Sequence, residues 1–530
     1  MPDAKRQNAA EAADEDRARF DSEVAARGLA LSADERDAVY GVSAWMREGI
    51  AELASALPPL AATDDAPSAG ASTGDPADLS IVEAGERMRR GALTSLALTE
   101  AVLARIAERD PDYRSFYTVT AERAGEDARR ADSEMAAGLD RGPLHGIPVG
   151  LKDMIDLEGV ATTCGSKGRA GAVAAANATL VERLIEAGAV MIGKLATYEW
   201  GTVGPAYDTL FPPAQNPWSL DHITGGSSSG CAVSVAGGLL RTSIGTDTGG
   251  SVRGPAFYCG VVGLKPSLGL VPTDGIASMS PSMDHAGPLS ATVMEAALTL
   301  DIIAGLTGTA ATARRCGEPI TGMRIGYARD WFAGDAQADP AIVDAMDAAA
   351  SKLSELGASI ETISLPSYPP IEIAAAAVLH YECFAGHAEE LAAHPEHFGR
   401  KTYQNLAAGI AITPEQYEAA RRAGLAFAQH LNREVFSRFD AILTVGALTP
   451  ALPVSLFGKG SVWTPMRTIG FNLSGHPALA LPMGFVDGLP VGMQLIGPHR
   501  GEAAICQIGH AFEQATDHAL QRPAPIRQSA

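Results

Sequence analysis

GGSSSGCAVSVAGGLLRTSIGTDTGGSVRGPAFYCGVVGLKPSLGLVP, residues 225–272, is the stretch of sequence from which the fold can be inferred. It contains a serine, Ser251, directly after two glycines, and glycines let a substrate come close to the backbone. A serine hydroxyl is a weak nucleophile until a base takes its proton. The usual base is a histidine, but none occurs between His222 and His285. A different base must therefore be sought.

A candidate base lies upstream, in GPLHGIPVGLKDMIDLEG at residues 142–159. Lys152 ends the apolar run IPVGL there, and the chain has eight lysines among 41 basic residues. A lysine in an apolar site has a lowered pKa and, when neutral, can act as a general base. The alternative is a lysine that extends to solvent or pairs with Asp153 or Asp156. The cluster GGSSSG also has alternatives, a tight loop or an anion-binding turn before a helix.

Taken together, these segments resemble the signature of the amidase signature family. The resemblance covers roughly residues 79–518. Further matching blocks are GPLHGIPVGLKD (142–153), AGAVMIGKLATYEWG (187–201), DHAGPLSATVMEAALTLDIIAG (284–305) and FNLSGHPALALPMGFVDGLPVGMQLIG (471–497). The resemblance implies an α/β amidase signature fold, with a large mixed β-sheet core covered by helices on both faces and, here, an N-terminal helical extension.

The resemblance also implies a Ser–Ser–Lys triad. Matched residue by residue, Ser251 is the nucleophile, Ser227 is the bridging serine that this family associates with a cis peptide bond, and Lys152 is the base. Such an amidase hydrolyses a linear C–N bond, in an amide, anilide or carbamate, through a seryl acyl-enzyme. The expected substrate is a small apolar or aryl amide. No cofactor and no metal are expected.

Residues around the nucleophile are expected to assist the triad. Backbone N–H groups bind the oxyanion that forms in acyl transfer, and the expected donors are those of Thr248, Gly249, Gly250 and Ser251. Support of this loop is expected from Asp247, Arg253 and Ser228. Position alone suggests four substrate-cavity residues, each of which could equally belong to the core: Tyr198, Met279, Trp463 and Phe471.

Two residues depart from the family pattern G-G-S-S-G-G-S, which reads G-G-S-S-S-G-C here. Ser229 replaces a glycine that could have used a positive φ. Cys231 replaces a serine, and we expect a packed thiol at this position. The six cysteines show no zinc-ligand spacing and are expected to be reduced. The stretch HAEELAAHPEH (387–397) matches no metal-ligand template and is interpreted as a solvated helix end.

Local patterns divide the chain into five parts. We predict disorder at 1–20, a helical arm at 21–60, a linker at 61–78, the catalytic domain at 79–520 and a tail at 521–530. Within the domain, short apolar runs alternate with helical patterns, which is typical of an α/β protein. The patterns predict helices at 287–306 and 338–356 and a mostly helical cap at 367–440.

The arm carries the signs of an amphipathic helix. Ser32 and Glu35 form an S-x-x-E capping box, and an apolar face is predicted from Trp45, Met46, Ile50, Leu53 and Leu57. The arm resembles small helical partner subunits that accompany some amidases of this family, here fused to the chain. We expect it to dock on its own catalytic domain. A dimerisation arm, giving a homodimer, and a plain surface helix are the alternatives.

Composition limits the partners and the location. The net charge of −21 disfavours binding to nucleic acid and to anionic membranes. No apolar run reaches the roughly 18–20 residues that span a bilayer, and the charged N-terminus lacks the apolar stretch of a secretory signal. We therefore expect a cytoplasmic protein that acts on a small molecule.

Three other functions remain open at this stage. Residues 226–230 also fit a G-x-S-x-G elbow, which would make the chain an α/β-hydrolase-type esterase with Ser228 as nucleophile and a histidine such as His476 as base. That elbow must follow a strand, and the preceding NPWSLDHIT contains Pro217. The chain could also be the amidase component of a tRNA-dependent amidotransferase, or a pseudoenzyme that only binds.

Overall fold

The computed structural model describes residues 17–53, 74–202, 204–207, 209–458 and 462–524. These residues contain eleven strands: β1 Phe116–Val119, β2 Pro148–Lys152, β3 Val190–Leu195, β4 Thr242–Asp247, β5 Val262–Lys265, β6 His285–Ser290, β7 Arg324–Tyr327, β8 Ser359–Thr362, β9 Ala441–Val445, β10 Ala478–Val486 and β11 Leu489–Ile496. All belong to one sheet, in the order β1-β3-β2-β4-β6-β5-β10-β11-β9-β7-β8. Parallel and antiparallel pairs both occur in this sheet, so it is mixed.

Helices cover both faces of the sheet, as the sequence predicts. The described helices are α1 17–26, α2 Ala33–Leu53, α3 Ile81–Arg89, α4 Ser95–Tyr113, α5 Ala121–Ala136, α6 Thr179–Glu186, α7 Ser229–Ala236, α8 Arg253–Cys259, α9 Val293–Ala304, α10 Pro340–Glu355, α11 Tyr368–Ala393, α12 Arg400–Ala407, α13 Pro414–His430, α14 Gly470–Leu473 and α15 Glu502–Gln514. None of these helices is both long and apolar enough to cross a membrane.

The centre of the sheet positions the site. Strand β2 pairs in parallel with β3 on one side and with β4 on the other. Gly150 and Leu151 of β2 lie opposite Ser243 and Ile244 of β4. Because neighbouring parallel strands end at the same edge of a sheet, this register brings the ends of β2 and β4 together. These ends carry Lys152 and Asp247.

The prediction of a helix over 287–306 is wrong for its first residues. Residues 285–290 form β6, which pairs antiparallel with β4 along its whole length, and the helix covers Val293–Ala304. Strand β6 is buried throughout. A strand buried on both faces lacks the apolar–polar alternation of a half-exposed strand, so periodicity alone cannot separate it from a buried helix. The helix predicted at 338–356 is confirmed as Pro340–Glu355.

The N-terminal arm packs on the helical cap formed by α11, α12 and α13. Phe20 and Val24 of α1 and Met46 of α2 are almost completely buried. Trp45, which the sequence places on the same apolar face, is 40% exposed. Adjacent residues of a helix point about 100° apart, so Met46 and Trp45 cannot both face the cap. The side chains of Ile50 and Leu53, and all of Leu57, lie outside the described residues.

An ion pair joins the arm to the cap. Glu35 accepts hydrogen bonds from the Ser32 backbone N–H at 2.8 Å and from the Arg400 guanidinium. Tyr403 adds a contact, because its hydroxyl accepts from the Ala30 N–H at 2.8 Å. The hydrogen bonds from Arg400 lower the pKa of Glu35 to about 2, so its carboxylate is charged at neutral pH.

Two predicted segment boundaries need correction. Residues 17–20, predicted to be disordered, belong to α1, because Phe20 is buried against the Tyr40 ring. Residues 74–78 of the predicted linker are also ordered: Pro76–Asp78 form a 3₁₀ turn, and Arg105 binds Asp75 and Asp78. Residues 1–16, 54–73 and 525–530, which hold the rest of the predicted disordered segment, linker and tail, lie outside the described residues.

Phe20→Ala should loosen the arm. Truncating a buried phenylalanine lowers the free energy of unfolding by about 3–5 kcal/mol. The measured loss cannot exceed the free energy with which the arm docks on the cap. We expect a lower free energy of unfolding in urea and faster protease cleavage within the arm. The matched control is Val42→Ala on the same arm, where the side chain is 41% exposed and the change should be within about 0.5 kcal/mol. Equal effects of the two substitutions would contradict docking through Phe20.

Candidate active site

Lys152 ends β2 with its side chain completely buried. Its Nζ donates to Ser227 Oγ and to Thr246 Oγ1, both at 2.7 Å. Burial lowers the pKa of Lys152 to about 8, although the nearby charge of Asp247 partly opposes this shift. A substantial fraction of the side chain is therefore neutral at mildly alkaline pH and able to accept a proton.

The ion pair that the sequence leaves open for Lys152 is not formed. Asp153 pairs instead with Lys194 of the neighbouring strand β3, with Lys194 Nζ 2.8 Å from Asp153 Oδ1. Asp153 also accepts a hydrogen bond from the Thr163 backbone N–H at 3.0 Å. The hydrogen-bond partners of Lys152 Nζ are thus hydroxyl groups rather than carboxylates. This difference distinguishes a lysine with a lowered pKa from a structural cation.

Ser227 lies in the loop before α7 and follows a cis peptide bond, Gly226–Ser227. Its side chain is almost completely buried. The Ser227 carbonyl accepts hydrogen bonds from the Tyr198 N–H at 3.0 Å and the Ser229 N–H at 2.8 Å. These contacts hold the hydroxyl against Lys152 on one side while the residue lines a cavity on the other.

Ser251 follows β4 and lines the same cavity as Ser227. It is partly exposed, unlike the buried lysine. A backbone hydrogen bond of 3.2 Å from the Ser228 N–H to the Ser251 carbonyl joins the two serine-bearing loops. Of the three residues predicted as a triad, Lys152 thus contacts the Ser227 hydroxyl, and Ser227 and Ser251 line one cavity.

A buried ion pair holds the loop that carries Ser251. Arg253 Nε and Nη2 each lie 3.0 Å from an oxygen of Asp247, and neither side chain is exposed. Asp247 also accepts from the backbone N–H groups of Gly250 and Val252, at 2.8 and 3.1 Å. Burial raises the pKa of Asp247, but the adjacent Arg253 lowers it more, and the net result is a pKa well below the usual value. The expected support role of this pair agrees with its geometry.

The expected set of oxyanion donors needs one correction. The Gly250 N–H is bound to Asp247 Oδ1, so it is not free to bind an oxyanion. Gly250 has φ +130°, and a Cβ there would lie 2.4 Å from Thr468 Oγ1, which explains the glycine as a conformational requirement. Among the described residues, no protein acceptor is found for the backbone N–H groups of Thr248, Gly249 and Ser251. These three remain available.

Ser228 lies inside the protein rather than in the cavity. It is completely buried, its Oγ donates to the Thr246 carbonyl at 3.2 Å, and it accepts from the Thr246 N–H at 3.3 Å. It therefore fastens the start of α7 to β4, as a support residue would. This burial counts against a nucleophilic Ser228. His476 is also completely buried, bonded to Ser474 and Asn432 at 3.1 and 3.2 Å.

The two departures from the family pattern are accommodated in α7. Ser229 does not have a positive φ, and its Oγ donates to the Ala196 carbonyl at 3.2 Å. Cys231 is completely buried and its thiol donates to the Ile244 carbonyl at 3.5 Å. Burial raises the pKa of Cys231 to about 12, which keeps the thiol protonated and unreactive.

The cavity above the two serines opens to solvent. Of the four expected cavity residues, Tyr198, Met279 and Trp463 line it. Phe471 does not: it is completely buried and packs against Trp331, with ring centroids 5.6 Å apart. The prediction for Phe471 is therefore wrong, because an aromatic side chain close to a cavity in sequence can still point into the core.

Sequence reasoning missed the contribution of α11 to this cavity. Tyr368, Glu372 and Leu379, spaced along one face of α11, all line it. Spacings of four and seven residues place side chains on one side of a helix, so the periodicity was available as a signal, but it also fits core packing. A second cavity also reaches Ser227, and Thr246 and Asp284 are among its lining residues.

One cluster of metal-type ligands occurs among the described residues, away from both cavities. Donor atoms of His394, Glu396 and His397 lie within 4.8 Å of one another at the end of α11. His397 Nδ1 is already 2.9 Å from Glu390 Oε1, and His394 is 3.3 Å from Glu396. The cluster lies at the surface, where the sequence predicts a solvated helix end, and none of its residues lines the serine cavity.

The mixed sheet and the buried lysine–serine contact at the end of its strand β2 define an α/β protein with a hydrolase-type site. The chain belongs to the amidase family, since the family model described as Amidase matches residues 97–506. This agrees with the resemblance to the amidase signature found in the sequence.

Individual relatives are similar over most of the chain. The A subunit of the glutamyl-tRNA(Gln) amidotransferase of Roseiflexus sp. (strain RS-1) is 35% identical over 479 residues, which are 84% of this chain and 98% of the relative. The native peptide amidase of Stenotrophomonas maltophilia superposes with a TM-score of 0.70 at 30% identity, covering 85% of this chain and 99% of that one. A structure described as a vestigial protein complex that reveals the evolutionary origins of an s-triazine catabolic enzyme gives a TM-score of 0.76 at 30% identity, covering 84% and 100%.

Asp247→Asn should destabilise the whole domain. The substitution keeps the shape of the side chain but leaves the buried Arg253 charge without its counter-charge, which costs about 3–5 kcal/mol. We expect a correspondingly lower free energy of unfolding in urea. The control is Glu86→Gln, which removes a carboxylate from an ion pair with Arg90 in which both side chains are more than half exposed, and it should change stability very little. Similar losses of stability in both variants would show that the buried ion pair contributes no more to stability than the exposed one.

Proposed function

We propose that this protein is an amidase that hydrolyses a linear amide-type C–N bond through a seryl acyl-enzyme. The observation that carries the proposal is the contact of the buried Lys152 with Ser227 Oγ, directly beneath the cavity into which Ser251 opens. Ser251 is the nucleophile, Ser227 transfers the proton and Lys152 is the base. Membership of the amidase family supports this assignment.

The proposed reaction follows from the position of each group. Neutral Lys152 accepts the Ser227 proton while Ser227 accepts the proton of Ser251, whose Oγ forms a bond to the carbonyl carbon. The negative charge that develops on the carbonyl oxygen is stabilised by the backbone N–H groups of Thr248, Gly249 and Ser251. A single donor of this kind contributes about 3–4 kcal/mol to transition-state stabilisation.

The relay then runs in the opposite direction. The proton held by Lys152 returns through Ser227 to the departing nitrogen, the C–N bond breaks, and the acyl group remains on Ser251. A water molecule then gives its proton to the same relay and attacks the acyl carbon, which releases the acid and restores the Ser251 hydroxyl. Side chains supply both base and nucleophile, so we propose that the enzyme acts without a cofactor.

The cavity favours a small substrate with an apolar part. Its described lining includes apolar side chains from several segments: Ile223, Met279, Leu379, Phe457, Val462, Met466 and Ile469. Burial of apolar substrate surface against such side chains contributes about 25 cal/mol per Å². We propose alkyl and aryl amides, anilides and carbamates as the substrate class, with the protein located in the cytoplasm.

A second candidate function is the amidase component of a tRNA-dependent amidotransferase. The specific observation in its favour is the 35% identity to the A subunit of a glutamyl-tRNA(Gln) amidotransferase. The net charge of −21 argues against direct contact with tRNA. The two candidates differ in a simple property, because the first predicts turnover of a plain amide by the purified chain alone.

Ser251→Ala should abolish that turnover without unfolding the protein. Removal of a serine nucleophile lowers kcat by at least about 10³-fold. The purified chain should hydrolyse an anilide, and a fluorophosphonate should label it at Ser251, as mapped by peptide mass spectrometry. Labelling at Ser228 would refute the triad assignment. Full activity of His476→Ala would exclude the esterase alternative with His476 as its base. An inactive wild-type chain that still labels at Ser251 would favour the amidotransferase hypothesis.

The rate should rise with pH through about 8. Lys152 must be neutral to act as base, and burial lowers its pKa to about 8, so kcat/KM should fall about tenfold per pH unit well below that value. Lys152→Ala should remove both the activity and this limb of the profile. The control is Lys167→Ala, at an exposed position, which should leave the profile intact. A limb that persists in Lys152→Ala would assign the titration to another group.

A further inference from the structure

The serine cavity contains a carboxylate that the proposed reaction does not use. Glu372 lies in the first turns of α11 and lines the cavity with Tyr368 and Leu379 of the same helix. Among the described lining residues it is the one Asp or Glu, and none of them is Lys or Arg. The cavity therefore presents a single acidic group on an otherwise apolar or neutral wall.

The protein satisfies only part of the hydrogen-bonding capacity of this carboxylate. Trp463 Nε1 donates to Glu372 Oε1 at 3.1 Å, and no other hydrogen bond to Glu372 is found among the described residues. A carboxylate can accept about four hydrogen bonds. Glu372 is half-buried in the cavity wall, so its unused lone pairs are accessible to an N–H donor that enters the cavity.

The nearest guanidinium is engaged elsewhere. Arg467 donates to the Trp331 carbonyl at 2.7 Å, pairs with Asp335 and lies over the Tyr368 ring at 4.5 Å. It does not form an ion pair with Glu372 among the described residues. Burial raises the pKa of Glu372 more than the Trp463 hydrogen bond and the charge of Arg467 lower it.

We propose that Glu372, held by Trp463, is a substrate-binding subsite for a cationic nitrogen or a strong N–H donor carried by the substrate away from the scissile bond. The same carboxylate repels a substrate that carries an anionic group at that end. This inference rests on the proposed amidase function and adds charge selectivity to it. It makes Glu372 a specificity residue with no role in bond breaking.

Matched substrates that differ in one terminal group test the subsite. The ammonium compounds are ω-aminoalkanamides of four to eight carbons. The neutral compounds are alkanamides of equal length, and the carboxylate compounds are dicarboxylic acid monoamides of equal length. The three series are compared by kcat/KM. A hydrogen bond to a charged group corresponds to about 10–100-fold in affinity. At the best chain length, the wild-type enzyme should therefore prefer the ammonium compound over the neutral one by about tenfold or more, and should use the carboxylate compound least.

Three variants test whether the preference depends on the charge of residue 372, on the length of its side chain, or on any carboxylate of α11. Glu372→Gln should reduce the ratio of kcat/KM for the ammonium compound to kcat/KM for the neutral amide to about one, and Glu372→Asp should keep part of the preference. The matched control is Glu389→Gln, which removes an exposed carboxylate from the same helix and should change nothing. A preference that survives Glu372→Gln, or that is absent from the wild type, overturns the proposal.

A binding measurement distinguishes failure of the subsite from failure of the amidase assignment. Hexylammonium and hexanoate are titrated calorimetrically into Ser251→Ala and into Ser251→Ala/Glu372→Gln, neither of which needs turnover. Hexylammonium should bind the first at least about tenfold more tightly than the second, and hexanoate should bind the first no more tightly than the second. Equal binding of hexylammonium to both proteins refutes the subsite whether or not any amide is hydrolysed. Charge-selective binding without amide turnover keeps the subsite and refutes the amidase.

Discussion

The buried ion pair between Asp247 and Arg253 is the constraint on which the site depends. Asp247 binds the backbone N–H groups that follow it, so the loop carrying Ser251 is ordered by a charge at the end of β4. The preceding residue on β4, Thr246, accepts a hydrogen bond from Lys152. One strand end thus positions both the loop that carries Ser251 and the side chain of Lys152. The parallel pairing of β4 with β2 sets the distance between them.

Helix α11 connects the arm to the cavity. One side of α11 packs against α2 of the arm, and Phe384 of α11 lies under the Arg27 guanidinium at 5.1 Å. Another part of the same helix supplies Tyr368, Glu372 and Leu379 to the cavity wall. A packed helix transmits displacement because protein interiors are densely packed and have little free volume. The arm and the cavity are therefore connected through one helix.

Much of the fold was predictable from local patterns. Alternating apolar runs and helical patterns indicated the α/β class, and the apolar periodicity of 338–356 located α10. The patterns failed at residues 285–290, a strand buried on both faces, and at 74–78, a polar segment ordered by the guanidinium of Arg105. In both places the conformation depends on a partner that is distant in sequence, which local composition does not reveal.

The sequence by itself determined the family, because the glycines and serines of 225–272 and the apolar strand before Lys152 resemble the amidase signature. Through that resemblance it also proposed Lys152, Ser227 and Ser251 as the triad. Only the tertiary structure decided which backbone donors are free, since the Gly250 N–H is bound to a carboxylate. It also decided that Phe471 belongs to the core and that Glu372 reaches the cavity. Burial and hydrogen-bond partners arise from contacts between segments far apart in the chain, as in the bond of Glu372 to Trp463, 91 residues away.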